Sequence, residues 1–180
     1  MKNKFNHIVI AIVAVGMISL AGWHTVSAQA TLTNEQRSQI VSNCVTIKNS
    51  LNQLHATDAL LRVNRGQVYE SMASKLMETF NARLANNGRD VQGLELVTSS
   101  YRSTLTNFRN HYQEYDRQLT DTINIDCSEN PDEFHASVLD SREKRSIVHE
   151  DVKKLHRFID DYQSAIDDYI LNDASLRESN

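Results

Sequence analysis

The residue types best suited to chemistry are the histidines and acids in the last third of the chain. His149 and His156 lie seven residues apart, and Asp160 follows His156 by about one helical turn. Two ligands of one metal ion on a helix usually lie four residues apart, whereas seven residues span about 10 Å along the axis. The Glu-x-x-His signature of di-iron bundles does not occur. We therefore expect these histidines to be solvated and to bind no metal.

Other chemical signatures are also missing from the sequence. It contains no Gly-rich phosphate loop, no C-x-x-C pair and no G-x-S-x-G nucleophile motif. One acidic cluster could attract a divalent cation, but its position on the polar face of a helix without glycine turns favours an ordinary solvated surface; its members are Asp160, Asp161, Asp167 and Asp168. The sequence thus predicts no catalytic residue, no cofactor and no metal, and a protein that is not an enzyme.

Basic residues are concentrated just before and among those histidines. They either offset neighbouring acids or bind an anionic envelope polymer, and the interleaved Glu143, Glu150 and Asp151 favour the first interpretation; the basic residues are Arg142, Lys144, Arg145, Lys153, Lys154 and Arg157. Arg145 occupies a helix position where the pattern calls for an apolar residue, and so does Asp58 much earlier in the chain. We predict that these two pair as a buried polar contact that fixes the register of the helices.

Three long amphipathic helices account for the rest of the chain. Apolar residues recur at steps of three, four or seven, which is the pattern of a helix that buries one seam. The predicted helices span residues 33–87, 94–124 and 131–171. The seam of the first is Ile40, Cys44, Ile47, Leu51, Leu54, Leu61, Val68 and Met72; that of the second is Leu94, Val97, Tyr101, Leu105, Phe108, Tyr112, Tyr115, Leu119 and Ile123.

The fold class follows from these patterns and from the scarcity of turn residues. Only three glycines and one proline follow residue 28, too few for a sandwich or barrel. We predict an all-α, elongated, antiparallel three-helix bundle with coiled-coil-like packing over residues 29–171, and a polar tail at 172–180. The apolar seams should close on each other and leave no pocket for chemistry.

The helix ends carry specific signals. Thr33 and Gln36 form a capping-box pattern at the start of the first helix, and Gly88 supplies a left-handed residue at its end. Pro131 fits the first position of the third helix. Gly66 is the weak point of the first helix, because glycine inside a helix is less stable than alanine by about 1 kcal/mol. We expect a kink or short break there.

The two cysteines are Cys44, on the seam of the first helix, and Cys127, in the link between the second and third helices. An exported protein with two cysteines is expected to join them where geometry allows, and we predict this disulfide. The alternatives are two unpaired thiols, with Cys44 as a small core residue, or a bridge between two chains.

A pairing within one chain requires the link before Cys127 to span a long distance to Cys44. In a simple antiparallel arrangement the second helix ends beside residue 59, about 22 Å along the first helix from Cys44. The link that leads to Cys127 spans only about 13 Å when extended. A kink at Gly66, or a longer irregular turn around Gly88, would have to supply the difference.

The amino terminus has the pattern of a secretory signal peptide over residues 1–28. Lys2 and Lys4 precede an apolar run that ends in small residues, and cleavage fits best after Ala28 or next best after Ala30. If the segment is not cleaved it becomes a membrane anchor. The net charge of −4 argues against nucleic acid, which selects a basic surface. We expect a secreted or extracytoplasmic protein of the cell envelope.

Two stretches resemble known proteins. Residues Leu32-Thr33-Asn34-Glu35-Gln36 resemble the L-T-x-x-Q motif of small helical periplasmic stress chaperones, which are exported and hold unfolded clients on a concave surface; the second copy usual in that family is absent. Residues 44–70 look similar to uncharacterised exported all-helical proteins of small-genome uncultivated bacteria. The second resemblance covers more of the chain and implies export and an all-α fold, but no activity.

Our leading hypothesis for function is therefore a non-enzymatic exported bundle that binds a protein partner or serves as a structural module. The candidate interaction surface is Arg62, Arg65 and Tyr69, beside the predicted break in the first helix. The alternatives are a holdase-like chaperone, which needs a contiguous exposed apolar patch, and an enzyme that acts on wall or glycan.

Overall fold

The computed structural model describes residues 32–178, with side chains as far as residue 171. All regular elements in this part of the chain are helical, which confirms the all-α fold class. They are α1 (Asn34–Ser42), α2 (Cys44–Ser71), a π-helical segment (Met72–Met77), α3 (Glu78–Asn86), α4 (Gln92–Asn124) and α5 (Pro131–Glu178). The predicted signal peptide at residues 1–28 lies outside the described residues. The last helix continues past its predicted end at residue 171.

The predicted helix 33–87 corresponds to four consecutive helical elements. It begins with the predicted capping box, in which the Thr33 hydroxyl accepts a hydrogen bond from the Gln36 backbone N–H and the Gln36 side chain accepts one from the Thr33 N–H. It is interrupted at Asn43 and at the π-helical segment, whereas α2 runs without a break through Gly66. The expectation of a break at Gly66 is therefore wrong, since the cost of one glycine, about 1 kcal/mol, is too small to interrupt a long helix.

Around the π-helical segment the residues that face the core differ from the predicted seam. Tyr69, Ala73, Met77 and Asn81 are all buried and follow one another at steps of four. A π turn holds more residues than an α turn, so a step of four stays on one face there. Leu61 and Val68, two predicted seam residues, are instead exposed.

The helix α4 provides the centre of the core. Its predicted seam is confirmed from Leu94 to Leu119, because seven of the nine seam residues are buried and the other two are partly buried. It packs against α5 and against the α2–α3 stretch. The main cluster of buried side chains comprises Tyr69, Ala73, Met77, Leu94, Tyr101, Leu105, Phe108, Leu155 and Tyr162.

The turn between α3 and α4 is closed by a left-handed glycine. Gly88 has a φ of 70°, and the Arg89 N–H donates to the Leu84 carbonyl over 3.1 Å. This is the hydrogen bond that ends many helices, and only glycine adopts such a φ without strain. The predicted cap is confirmed.

The predicted cysteine pairing is confirmed, because Cys44 and Cys127 lie at disulfide distance within one chain, with Cα atoms 5.6 Å apart. Both are buried beside Phe134, in a small cluster separate from the main core. Lys48 donates a hydrogen bond to the Ile125 carbonyl over 3.2 Å, so the end of α4 reaches this part of α2 and not residue 59.

The path of α2 explains how the cysteines meet. Glu70 pairs with Arg109 at one level, and His55 pairs with Asp116 at the next. Between these two pairs α2 advances by fifteen residues and α4 by only seven. The additional residues of α2 therefore bring Cys44 to the level of Cys127, and a cavity lies beside this part of α2.

Candidate functional site

An ion pair between a buried Asp58 and a half-exposed Arg145 joins α2 to α5 and forms one wall of the cavity. Asp58 is only 8% exposed. Arg145 donates from Nε to Oδ2 over 2.7 Å and from Nη2 to Oδ1 over 3.0 Å, and the Tyr115 hydroxyl donates to Oδ2 over 2.7 Å. The predicted pairing of Asp58 with Arg145 is thus confirmed, with a third partner from α4.

The electrostatics of this contact favour the ionised state of both partners. Burial alone would raise the pKa of Asp58, but the hydrogen bonds from Arg145 and Tyr115 and the charge of Arg145 outweigh it and hold the pKa below its usual value. The hydrogen bond to Asp58 raises the pKa of Arg145 despite partial burial. One positive and one negative charge therefore offset each other at this wall of the cavity.

The cavity lies between α2, α4 and α5 and has a volume of about 600 Å³. Aromatic and aliphatic side chains make up its inner surface, and basic side chains dominate the polar part. The lining residues are Asp58, Leu61, Arg62, Arg65, Tyr69, Phe108, Tyr112, Tyr115, Arg142, Arg145, Ser146, Val148, His149, Val152 and His156.

This cavity corrects the expectation that the helices close without a pocket. At this level the residues that α2 turns toward α4 and α5 include Asp58, Arg62 and Arg65. Long charged side chains keep their charged ends near water and do not interdigitate as leucines do. The helices therefore stand apart here.

The cavity carries a positive charge. Four arginines and one acid line it, and that acid is already paired with Arg145. Within the described residues, neither Arg65 nor Arg142 has a carboxylate within 4.0 Å. By contrast, Lys153 and Lys154 of the same basic region each contact an acid on α5. The three lysines of the basic region thus contact acids of α5, whereas Arg142 and Arg145 line the cavity.

Tyr112 contributes a buried hydroxyl that lacks a hydrogen-bond partner. The residue is 7% exposed, and its Oη is the one buried side-chain N or O atom in the described part of the chain without a partner. The Arg62 guanidinium lies over its ring, 5.2 Å from the centroid. Burial, together with the charges of Asp116 and Asp58, raises the pKa of Tyr112 to about 12, so the hydroxyl stays protonated.

The histidine pair singled out in the sequence lies at the same cavity. His149 and His156 are both exposed, as predicted, and His156 Nε2 lies 3.1 Å from the Tyr69 hydroxyl. Among residues 32–171, no three His, Cys, Asp or Glu side chains are grouped so that they could hold a metal ion.

The three predicted interaction residues, Arg62, Arg65 and Tyr69, all line the cavity. Sequence reasoning did not include Arg142 or Tyr112 in this set. In the sequence, Arg142 belongs to the basic region and Tyr112 to the α4 seam. Their proximity depends on how α4 and α5 pack, for which the sequence of either helix alone contains no signal.

Large apolar side chains are exposed on the same stretch of α2. Leu60 is 63% exposed, Val63 47% and Val68 54%, and none of the three lines the cavity. The helix therefore presents an arginine-rich surface to the cavity, and three exposed apolar side chains lie outside it. We refer to Leu60, Val63 and Val68 as the outer apolar surface.

Comparison with protein-family models finds no match, and neither curated proteins nor solved structures show a significant match. The site must therefore be interpreted from its own geometry. Over the described residues, every helix is too short or too polar to cross a bilayer.

Proposed function

We propose that the protein is an exported helical bundle of a bacterial envelope that acts by binding a protein partner, as an interaction or structural module without catalysis. The surface of α2 around Arg62, Arg65 and Tyr69 is the proposed contact, together with the outer apolar surface. The observation that carries this proposal is the exposure of Leu60, Val63 and Val68 on one stretch of helix. Exposed apolar patches on a helix favour protein contacts.

The proposal of export rests on the amino-terminal pattern and on the disulfide. Disulfides persist in oxidising compartments outside the cytoplasm, and the Cys44–Cys127 pair fits such a compartment. Cleavage after Ala28 would remove Trp23, the single tryptophan of the chain. The exported protein should then show no indole fluorescence, whereas an uncleaved anchor would retain it.

We propose further that residues 34–171 form an antiparallel three-helix bundle with coiled-coil-like packing, in which α1 to α3 act as one interrupted helix. In support, α4 contacts that stretch in reverse order: Thr98 near its start bonds Asn81, and Asp116 further along bonds His55. The seam of α4 recurs at the three- and four-residue steps that such packing requires.

Site-specific cross-linking in the native envelope tests the partner proposal. A photoreactive residue at Val63 should give one adduct of defined mass, and the changes Leu60→Asp and Val68→Asp should remove it because they place charge in the apolar contact. Leu96 on α4 is 65% exposed and provides the matched control position. Equal yields at both positions, or an adduct that survives the aspartates, would contradict the proposal.

A holdase-like chaperone is the second candidate, and the outer apolar surface is the observation that favours it. The L-T-x-x-Q stretch supports it less, because Thr33 and Gln36 form a local capping box. A holdase should suppress the aggregation of an unfolded client at near-stoichiometric ratio, whereas a module for one specific partner should not. A wall- or glycan-acting enzyme would instead show activity that is lost on mutation of a single acid.

A further inference from the structure

We propose that the cavity between α2, α4 and α5 is a binding site for a small amphipathic anion, with a carboxylate or phosphate head on an aliphatic or aromatic body. This ligand site shares Arg62, Arg65 and Tyr69 with the protein contact proposed above, but the proposal does not depend on that contact. The cavity surface and the outer apolar surface share no residue.

The size and lining of the cavity suit the body of such a ligand. A volume of about 600 Å³ falls within the range of roughly 300–1,000 Å³ that is usual for small-molecule sites. Phe108, Val148 and Val152 supply apolar surface from two different helices, so the body would be covered on more than one side.

The arginines of the cavity suit the negatively charged head group of such a ligand. Arg65 and Arg142 reach the cavity from α2 and α5, and neither is engaged with an acid of the described residues. A guanidinium binds carboxylate or phosphate with two parallel hydrogen bonds and remains charged at any physiological pH. Since Asp58 is neutralised by Arg145, no free negative charge on the cavity wall opposes an anion. A positive cavity in a chain of net charge −4 selects for anions locally.

Tyr112 is an independent observation that points to a ligand. A buried hydroxyl without a partner destabilises the protein, and native proteins rarely leave one. The neighbouring tyrosine hydroxyls are already engaged, that of Tyr115 with Asp58 and that of Tyr69 with His156. Tyr112 is therefore the tyrosine of the cavity lining whose hydroxyl has no partner, and in our proposal a small movement of its side chain lets this hydroxyl donate to an oxygen of the bound anion.

Titration calorimetry on the purified exported protein tests the site with three probes of equal chain length, each below its micelle concentration. The probes are decanoate, decyl phosphate and uncharged decanol. We expect at least one of the two anions to bind at least tenfold more tightly than decanol, and the preferred anion identifies the head group. Binding of decanol as tight as that of both anions, or no binding of either anion at millimolar concentration, would overturn the proposal.

Two variants and a matched control assign the binding to these residues. Arg142→Glu should weaken the preferred anion at least tenfold and leave decanol unchanged, and Tyr112→Phe should weaken the anion severalfold. Arg117 on α4 is exposed and does not line the cavity, so Arg117→Glu makes the same charge change elsewhere. An equal loss of anion affinity in the Arg142 and Arg117 variants would mean that the overall charge of the protein controls binding. It would contradict a specific site in the cavity.

An NMR measurement on the unmodified protein tests the site without relying on the folding of a variant. With ¹³C-labelled tyrosine in the unmodified protein, the resonance of Tyr112 should shift as the anion is added, while that of Tyr169, which does not line the cavity, should stay in place. Shifts of both signals alike, or of neither, would overturn the proposal. Cross-linking through Val63 should be unaffected by Arg142→Glu, so failure of one proposal can be told from failure of the other.

Discussion

At the scale of single residues, the contact of Asp58, Arg145 and Tyr115 determines how three helices meet. Each comes from a different helix, and each would be unfavourable at a seam position without the other two. The carboxylate accepts three hydrogen bonds, which compensates for its burial. Such contacts specify one arrangement of the helices more than they add to its stability.

We expect Asp58→Asn to lower the free energy of unfolding by about 2 kcal/mol, because it replaces charge-assisted hydrogen bonds with neutral ones and leaves Arg145 without its partner. Glu150→Gln removes the exposed pair with Lys153 and should change stability by less than about 0.5 kcal/mol. Urea denaturation of both variants, with Arg145→Gln to complete a double-mutant cycle, measures the coupling. A coupling energy near zero would show that the pair contributes nothing specific.

The same contact should respond to acid. Because the pKa of Asp58 is lower in the folded protein than its ordinary value, its contribution is complete above the unfolded-state pKa of about 3.9 and is lost as pH falls through the folded-state pKa. The stability difference between wild type and Asp58→Asn should therefore be constant above about pH 5 and shrink below about pH 4. A difference that grows on acidification would contradict this sign.

Tyr112 and Tyr115 allow a matched comparison of two buried hydroxyls. Tyr112→Phe removes a hydroxyl without a partner, so in the absence of ligand it should leave stability unchanged or raise it by about 1 kcal/mol. Tyr115→Phe removes a donor to Asp58 and should lower stability by about 1–2 kcal/mol. Thermal denaturation of the two variants gives the comparison, and equal effects would mean that the hydroxyls have similar surroundings.

At the scale of elements, the interrupted helix of α1 to α3 combines several local geometries. α2 continues through Gly66, the π-helical segment shifts the buried face to steps of four, and Gly88 ends α3 in the left-handed region. The irregularity therefore lies where packing against α4 demands a new face and not where the weakest helix former stands. Helix propensity is a small effect that tertiary packing readily overrides.

Substitutions at two glycines distinguish the effect of helix propensity on stability from the effect of a left-handed backbone conformation. A Cβ atom at Gly66 or at Gly88 would meet nothing within 4 Å, so neither substitution causes a clash. Gly66→Ala should raise stability by up to about 1 kcal/mol because alanine is the better helix former. Gly88→Ala should lower it by about 1 kcal/mol because its φ of 70° strains an L-residue. Chemical denaturation checks both, and the same sign for the two would contradict these conformations.

At the scale of the whole described chain, the disulfide closes a loop between residues 83 positions apart. In the chain-entropy model a loop of this length stabilises the fold by about 4–5 kcal/mol. The cysteines lie in a small cluster away from the main core, and apart from Phe134 the apolar side chains packed against them are only partly buried.

We expect reduction, or the double change Cys44→Ser and Cys127→Ser, to lower Tm by on the order of 10 °C. Calorimetry with and without reductant measures this. Reductant should have no effect on the double variant, which provides the control. A wild-type Tm that does not change when both thiols are shown to be free would indicate that the loop is already constrained by its other contacts.

Much of this protein follows from its sequence alone. The Thr33 capping box, the Gly88 cap and the Pro131 start are local signals that act over a few residues and predicted the structure correctly. Helix periodicity predicted the buried face of α4 correctly but was wrong at Leu61 and Val68 of α2. The Asp58–Arg145 pair and the cysteine pair could also be inferred, because a polar residue on an apolar seam and a pair of cysteines both require partners.

Only the tertiary structure decided where α2 departs from α4, and therefore that a cavity exists and which residues line it. The sequence singled out Arg62, Arg65 and Tyr69, but not that Arg142 and Tyr112 would join them. The physical reason is that periodicity fixes which face of a helix is buried, whereas the spacing between helices depends on how charged and aromatic side chains from three helices fit at one level. That fit is a property of the assembled helices and of none of them separately.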